Sequence, residues 1–118
     1  MTGVQTCALP ISLNYIGYTY AEQGVRLDEA MLLIQNALKS KPDSGYIIDS
    51  LGWVYFKKGQ YEKAVRTLEK AATLTEDDPT VQEHLGDAYV ATKKYEKALQ
   101  HYEKALALEH PEIGRAHV

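Results

Sequence analysis

The chain has 118 residues, with 13 Lys+Arg against 16 Asp+Glu and a formal charge of −3. That size holds one small domain or a short run of repeats, and the charge excludes a protein that binds nucleic acid or anionic membranes through a general basic face. A hydrophobic content of 45% is too high for a disordered chain, and the single Cys excludes an internal disulfide. No apolar run approaches the roughly 20 residues of a membrane helix.

In chain order, the pattern predicts six helices, at about 13–23, 28–40, 45–58, 61–74, 79–92 and 95–108. Gly24 stands where the first should end in a left-handed cap. Pro42 closes the second, and Asp43 or Ser44 can cap the third. Ile47, Leu51, Val54 and Tyr55 follow helical i, i+4, i+7, i+8 spacing. Gly59 suits the next cap. Val65, Leu68, Ala71, Ala72 and Leu74 give the fourth helix an apolar face. Asp78-Pro79 reads as an N-cap followed by Pro at the first helical position.

The ends read differently. Thr6 to Ile11 can be encoded by ACG TGT GCT CTT CCG ATC. The opposite strand, read from its second base, encodes Ile113 to Val118. That DNA resembles a short-read sequencing adapter. Residues 1–12 and 113–118 are therefore expected to be adapter-derived, with the native array at 13–111, an internal piece of a longer chain. There is no positive n-region or sustained apolar h-region for a signal peptide.

A period dominates the interior. Leu51-Gly52 and Leu85-Gly86 lie 34 residues apart, as do Tyr55 and Tyr89. Tyr61-Glu62-Lys63-Ala64 recurs as Tyr95-Glu96-Lys97-Ala98, and Glu69-Lys70-Ala71 as Glu103-Lys104-Ala105. Ile16-Gly17, Tyr20, Ala30 and Ala37 fill the same columns upstream, with one extra residue between Gly24 and Ala30. Three repeats follow, at about 10–44, 45–78 and 79–112. Gly52 and Gly86 fall mid-helix, where Gly costs about 1 kcal/mol against Ala. Retention there predicts that a Cβ would strike the paired helix, with Ala64 and Ala98 facing the same seam.

These residues resemble the tetratricopeptide repeat, a helix-turn-helix unit of about 34 residues. The resemblance implies an all-α fold: stacked antiparallel pairs forming a right-handed superhelix with a concave groove. Each repeat then rests mainly on its neighbours, so stability is roughly nearest-neighbour. The extra residue, in Val25-Arg26-Leu27, should alter its turn and not the superhelix, with Leu27 taking the place of Tyr61 and Tyr95.

Chemistry is not visible. His84, His101 and His110 form no metal-ligand spacing and read as surface or groove histidines. There is no phosphate loop or nucleophile elbow. Asp49 and Glu83 share a helix face in consecutive repeats, but no pocket is evident to tune a carboxyl. Glu62 and Arg66 can pair at i, i+4. A non-catalytic protein without cofactor or metal is expected.

In the family the concave surface comes from the first helix of each repeat. Carried over, it presents Asn14, Tyr15, Tyr18, Ala21 and Glu22; then Asp49, Ser50, Trp53, Phe56 and Lys57; then Glu83, His84, Asp87, Val90 and Ala91. Tyr46 should join them. Trp53 and Phe56 either face a ligand or pack on the neighbouring repeat. Some members clamp C-terminal carboxylates with Lys, Asn and Arg; here Asn14, Tyr18, Ser50, Thr80 and His84 stand at those positions, so that clamp is absent. An aromatic groove with an acidic rim favours a protein or peptide segment with apolar and Lys/Arg side chains. The alternatives are spacer repeats or the regulatory arm of a fused enzyme. Phrases such as Leu13-Asn14-Tyr15-Ile16-Gly17-Tyr18 are similar to bacterial repeat proteins, cell-envelope adaptors among them. The last helix carries Tyr95, Ala98, Leu99, Tyr102, Leu106 and Leu108 with no cap after it, so self-association through open ends is expected.

Overall fold

The computed structural model describes residues 9–112. The expected adapter-derived tails lie outside the described residues, apart from 9–12, where Pro10, Ile11 and Ser12 form the first turn of a helix. Six helices run in order: α1 (Pro10–Gln23), α2 (Leu27–Ser40), α3 (Gly45–Lys57), α4 (Tyr61–Leu74), α5 (Pro79–Ala91) and α6 (Tyr95–Glu109). Every expected helix is present. The largest boundary difference is at α1, which starts three residues early because Pro10 at its first turn needs no N–H partner.

The stops and starts have physical causes. Gly24 closes α1 at φ 71°, donating its N–H to Ala21 O and Tyr20 O. Gly59, after α3, sits at φ 81°. Ser44 caps α3 by accepting from Ile47 N at 3.4 Å, and Asp78 caps α5 by accepting from Thr80 N at 2.8 Å. The inserted residue before α2 is absorbed by Arg26, which takes a left-handed conformation at φ 50° and lies 5.5 Å from the centre of the Tyr20 ring. Leu27 then opens α2 as Tyr61 opens α4 and Tyr95 opens α6.

The helices pair as α1–α2, α3–α4 and α5–α6. Within each pair the mid-helix glycine lies against a side chain of the second helix. A Cβ on Gly17 would stand 2.7 Å from Ile34 Cγ1, on Gly52 2.6 Å from Leu68 Cγ, and on Gly86 2.5 Å from Tyr102 Cε1. The seam predicted from the repeat is thus present in all three pairs. Ala30, Ala64 and Ala98 are buried in it.

Two apolar clusters result. One joins α1, α2 and α3 through Ala21, Ala30, Ile34, Ile47, Trp53 and Val54. The other joins α3 to α6 through Ile48, Val65, Leu68, Val81, Leu85 and Tyr89. Adjacent residues of α3, Ile47 and Ile48, face different clusters. That is why most of the helix is buried.

Contacts also set the curvature. The first helices of the repeats touch in sequence, α1 on α3 and α3 on α5. The backbones of the second helices α2, α4 and α6 stand apart among the described residues. The stack therefore curves toward the α1–α3–α5 side, which is the concave face.

Candidate functional site: the concave face

The inner helices bring most of the expected groove residues together, but many of them as a sealed floor. Asp49 and His84, from α3 and α5, are each only 6% exposed. His84 Nδ1 donates to the Asp49 carboxylate, 3.0 Å from Oδ1 and 3.1 Å from Oδ2. A carboxylate can only accept, so this bond fixes the proton on Nδ1. His84 Nε2 lies 3.4 Å from the Tyr18 hydroxyl of α1. The Tyr18 hydroxyl is pushed up to about 12, first by burial and then by the charges of Glu22, Asp49, Asp78 and Glu83. It stays protonated, within hydrogen-bond reach of that ring nitrogen. The histidines are expected on the surface or in the groove; His84 instead lies buried in the groove floor, hydrogen-bonded to an acid of the preceding repeat.

Trp53 lies over this pair. Its ring stacks on His84 at 3.9 Å between centres and on Phe56 at 4.7 Å. Its Nε1 donates to Glu22 Oε1 at 2.8 Å, and the Lys57 ammonium lies 5.3 Å from the ring. At 6% exposure Trp53 takes the packing alternative. Ser50 is likewise buried, its hydroxyl donating to Tyr46 O.

The residues that reach solvent form a rim. Tyr15 and Tyr46 are 70% and 58% exposed. Glu22, Lys57, Glu83 and Val90 are exposed, and Asn14, Phe56, Asp87 and Ala91 half-buried; Ala21 belongs to the core. Burial and the neighbouring Glu109 carboxyl push Glu83 up from the ordinary carboxylate range. Asp87 accepts from the Tyr102 hydroxyl at 2.5 Å. Asn14 Oδ1 is a buried acceptor with no partner. The Glu62–Arg66 pair expected on α4 is not among the ion pairs of the described residues. Lys58 instead pairs with Asp28 across the first and second repeats at 2.6 Å, holding that carboxyl below its ordinary range.

Sequence reasoning missed the Tyr18–His84–Asp49–Trp53 network because its members come from three repeats. Asp49 precedes its Leu by two positions and His84 precedes its own by one, so the pair is off the repeat register. A His and an Asp on inner positions of consecutive repeats, next to the single Trp, were the signal available.

With this geometry in place, comparison decides the family. A sequence model described as the tetratricopeptide repeat matches residues 10–112. The chain belongs to the tetratricopeptide repeat family. A TPR repeat-containing protein of Pseudomonas aeruginosa is 41% identical over 61 residues. The matched segment covers 52% of this chain and 10% of that protein, so the chain spans a small part of that relative. Among solved structures, the first TPR of Spaghetti bound to an HSP90 peptide aligns with a TM-score of 0.75 at 25% identity, covering 85% of this chain and 79% of that one. The first TPR domain of human RPAP3 gives 0.77 at 24%, covering 86% and 80%. MamA of Desulfovibrio magneticus gives 0.73 at 21%, covering 86% and 56%, and shows the fold alone. The TPR solenoid expected from the repeat is therefore the fold of this chain.

Proposed function

We propose that this TPR array is a non-catalytic recruiting module whose concave face binds a protein or peptide segment bearing apolar and Lys/Arg side chains. The observation that carries the reading is the division of the groove. A buried floor of Trp53, His84 and Asp49 is pre-organised by its own bonds, and above it stand exposed Tyr15 and Tyr46 with the carboxylates of Glu22 and Glu83. Rigid aromatics supply contact area at low entropic cost, and carboxylates at a rim select for cations. Support also comes from the family, whose repeats are generally interaction modules, and from the Spaghetti TPR, solved with an HSP90 peptide. The positions of the carboxylate clamp hold Asn14, Tyr18, Ser50, Thr80 and His84 in this chain. The segment taken is therefore different in charge from a clamp ligand.

The test is a peptide array of basic-apolar and acidic-apolar segments probed with the full chain, followed by calorimetry of Glu22→Lys and Glu83→Lys. Both substitutions are at exposed positions and leave the His84–Asp49 pair intact; Glu22→Lys also removes the acceptor of Trp53 Nε1, so Glu83→Lys is the cleaner test. Basic segments should bind and lose affinity in both variants; unchanged affinity refutes the groove assignment. The spacer reading has one observation in its favour, the near-complete burial of Trp53. It predicts that no segment binds the inner face. We further propose self-association through the α6 side, where Tyr95, Leu99 and Leu106 are 61%, 58% and 43% exposed. Light scattering across a concentration series should show oligomers that Leu99→Glu reduces; a monomer throughout would refute it.

A further inference from the structure

Because the backbones of α2, α4 and α6 stand apart among the described residues, each junction between repeats opens a crevice on the convex face, floored by an inner helix. The two crevices are related by the 34-residue period, yet the sequence has made them unlike. The one between α4 and α6 is closed with polar bonds. Gln82, wholly buried on α5, accepts from His101 Nδ1 at 2.7 Å, and its Nε2 donates to Glu76 O at 3.3 Å. A cavity of about 190 Å³ remains.

The equivalent crevice between α2 and α4 has Ile48 where the other has Gln82, and Thr67 where it has His101. Leu38 replaces Ala72 and Pro42 replaces Glu76. The cavity is about 370 Å³, inside the roughly 300–1,000 Å³ range of ligand pockets, whereas the other falls below it. Arg66 and Lys70 of α4 stand at its rim one helical turn apart. Neither is ion-paired to a carboxylate among the described residues. The second junction shows that the solenoid closes well with a polar pair at this place. An open apolar pocket with two free cations is therefore not a demand of the fold.

We propose that this convex crevice is a second docking site. It takes an acidic peptide segment that inserts one apolar side chain against Leu38, Ile48 and Leu51 and sets a carboxylate between Arg66 and Lys70. Charge complementarity selects the occupant. The chain is net negative and its groove rim acidic, so a cationic apolar pocket on the opposite face is a local inversion of sign. Arg can meet a carboxylate with two parallel hydrogen bonds, which also fixes the direction of the segment. The module would then hold two segments of opposite charge on opposite faces.

The test is an NMR titration of the full chain with the peptide acetyl-Glu-Asp-Glu-Leu-Glu-Asp-amide. Amide signals of Leu38, Ile48, Thr67 and Lys70 should move, and those of Tyr18 and Glu22 should not. Ile48→Gln with Thr67→His writes the polar pair of the second junction into the first. It should leave helicity unchanged and weaken binding by at least about tenfold. Arg66→Glu with Lys70→Glu, both at exposed positions, should do the same even if the first variant folds poorly. The proposal is overturned by any of four results: no binding at millimolar peptide; shifts confined to the groove; equal binding of the Lys-for-acid peptide; or displacement of the peptide by inorganic phosphate or phosphatidylserine vesicles at equal concentration of anionic groups. Only shifts confined to the groove would also count against the concave-face reading; the other outcomes leave it untouched, since its own variants are on the other side.

Discussion

Gly52→Ala isolates the seam that defines the repeat. At an exposed mid-helix site this substitution stabilises by about 1 kcal/mol. Here the new Cβ would lie 2.6 Å from Leu68 Cγ, 2.7 Å from Cδ2 and 3.4 Å from the Leu68 backbone nitrogen. Leu68 has no exposed surface and sits in the larger apolar cluster, so it cannot swing aside without displacing others. Overpacking of such a core costs about 1–3 kcal/mol, which offsets the propensity gain and leaves a net loss of about 0–2 kcal/mol. Gly86→Ala is the internal control. Its Cβ meets the ring of Tyr102, a half-buried side chain of α6, which can rotate outward after giving up its bond to Asp87. Its cost should be smaller, within about 1 kcal/mol of zero. Urea unfolding followed by far-ultraviolet circular dichroism measures both, with constant m-values confirming that one transition is compared. Combining Gly52→Ala with Leu68→Ala should cost less than the sum of the two, because the added methyl enters space the leucine vacates. If Gly52→Ala raises the midpoint as an exposed site would, the close-approach account of the repeat glycines is wrong.

The turn after α5 places Lys93 at φ 64°, where the turn after α3 has Gly59 at φ 81°. Lys93→Gly should stabilise by about 0.5–1 kcal/mol and Gly59→Ala should destabilise by about as much, read by thermal unfolding. His84→Ala leaves the Asp49 carboxylate buried and unpaired, so it should cost about 3–5 kcal/mol; Asp49→Asn should cost less, since the amide still accepts from the ring. The stacked Trp53 reports the same event as a change in tryptophan fluorescence, and an unchanged spectrum in His84→Ala would contradict the stacking. Glu83 ionises at higher pH in the folded chain than in the unfolded one, because of burial and the carboxyl of Glu109. The unfolded state therefore releases its proton first, and stability falls as pH rises from the ordinary carboxylate range through the raised value. Glu83→Gln should remove that loss and stabilise at pH 7 by a few tenths of a kcal/mol, limited by solvent screening. Urea midpoints at pH 4 and pH 7 decide it: a variant benefit confined to pH 4 would reverse the sign.

What was legible in the sequence was whatever repeats. The helix order, the left-handed Gly24 and Gly59, the Asp78 cap and the glycine seams depend on residues close in sequence or one period apart. Their signals recur, so each copy supports the others. The groove floor was not legible for the opposite reason. The Tyr18–His84 contact joins residues two repeats apart, and whether they meet depends on the degree of curvature, which no local pattern encodes. Trp53 was legible as special but not as buried, because its partner His84 comes from the following repeat. The contrast between Gln82–His101 and Ile48–Thr67 was present in the sequence as unlike residues at equivalent positions. It acquires meaning only once the outer helices are seen to stand apart.

The contact of Tyr18 with His84 changes how load passes through the stack. Inner helices touch and the backbones of the outer ones stand apart, so the solenoid has a stiff side and a compliant side. Pulling its ends apart would straighten it by opening the inner face, and the tie that bridges first and third repeats is strained together with the neighbour contacts. A stack of independent links would lose its repeats one at a time from the ends. These three repeats carry a brace from the first to the third, so fraying of the first is felt by the third, and their rest curvature is held by all three at once.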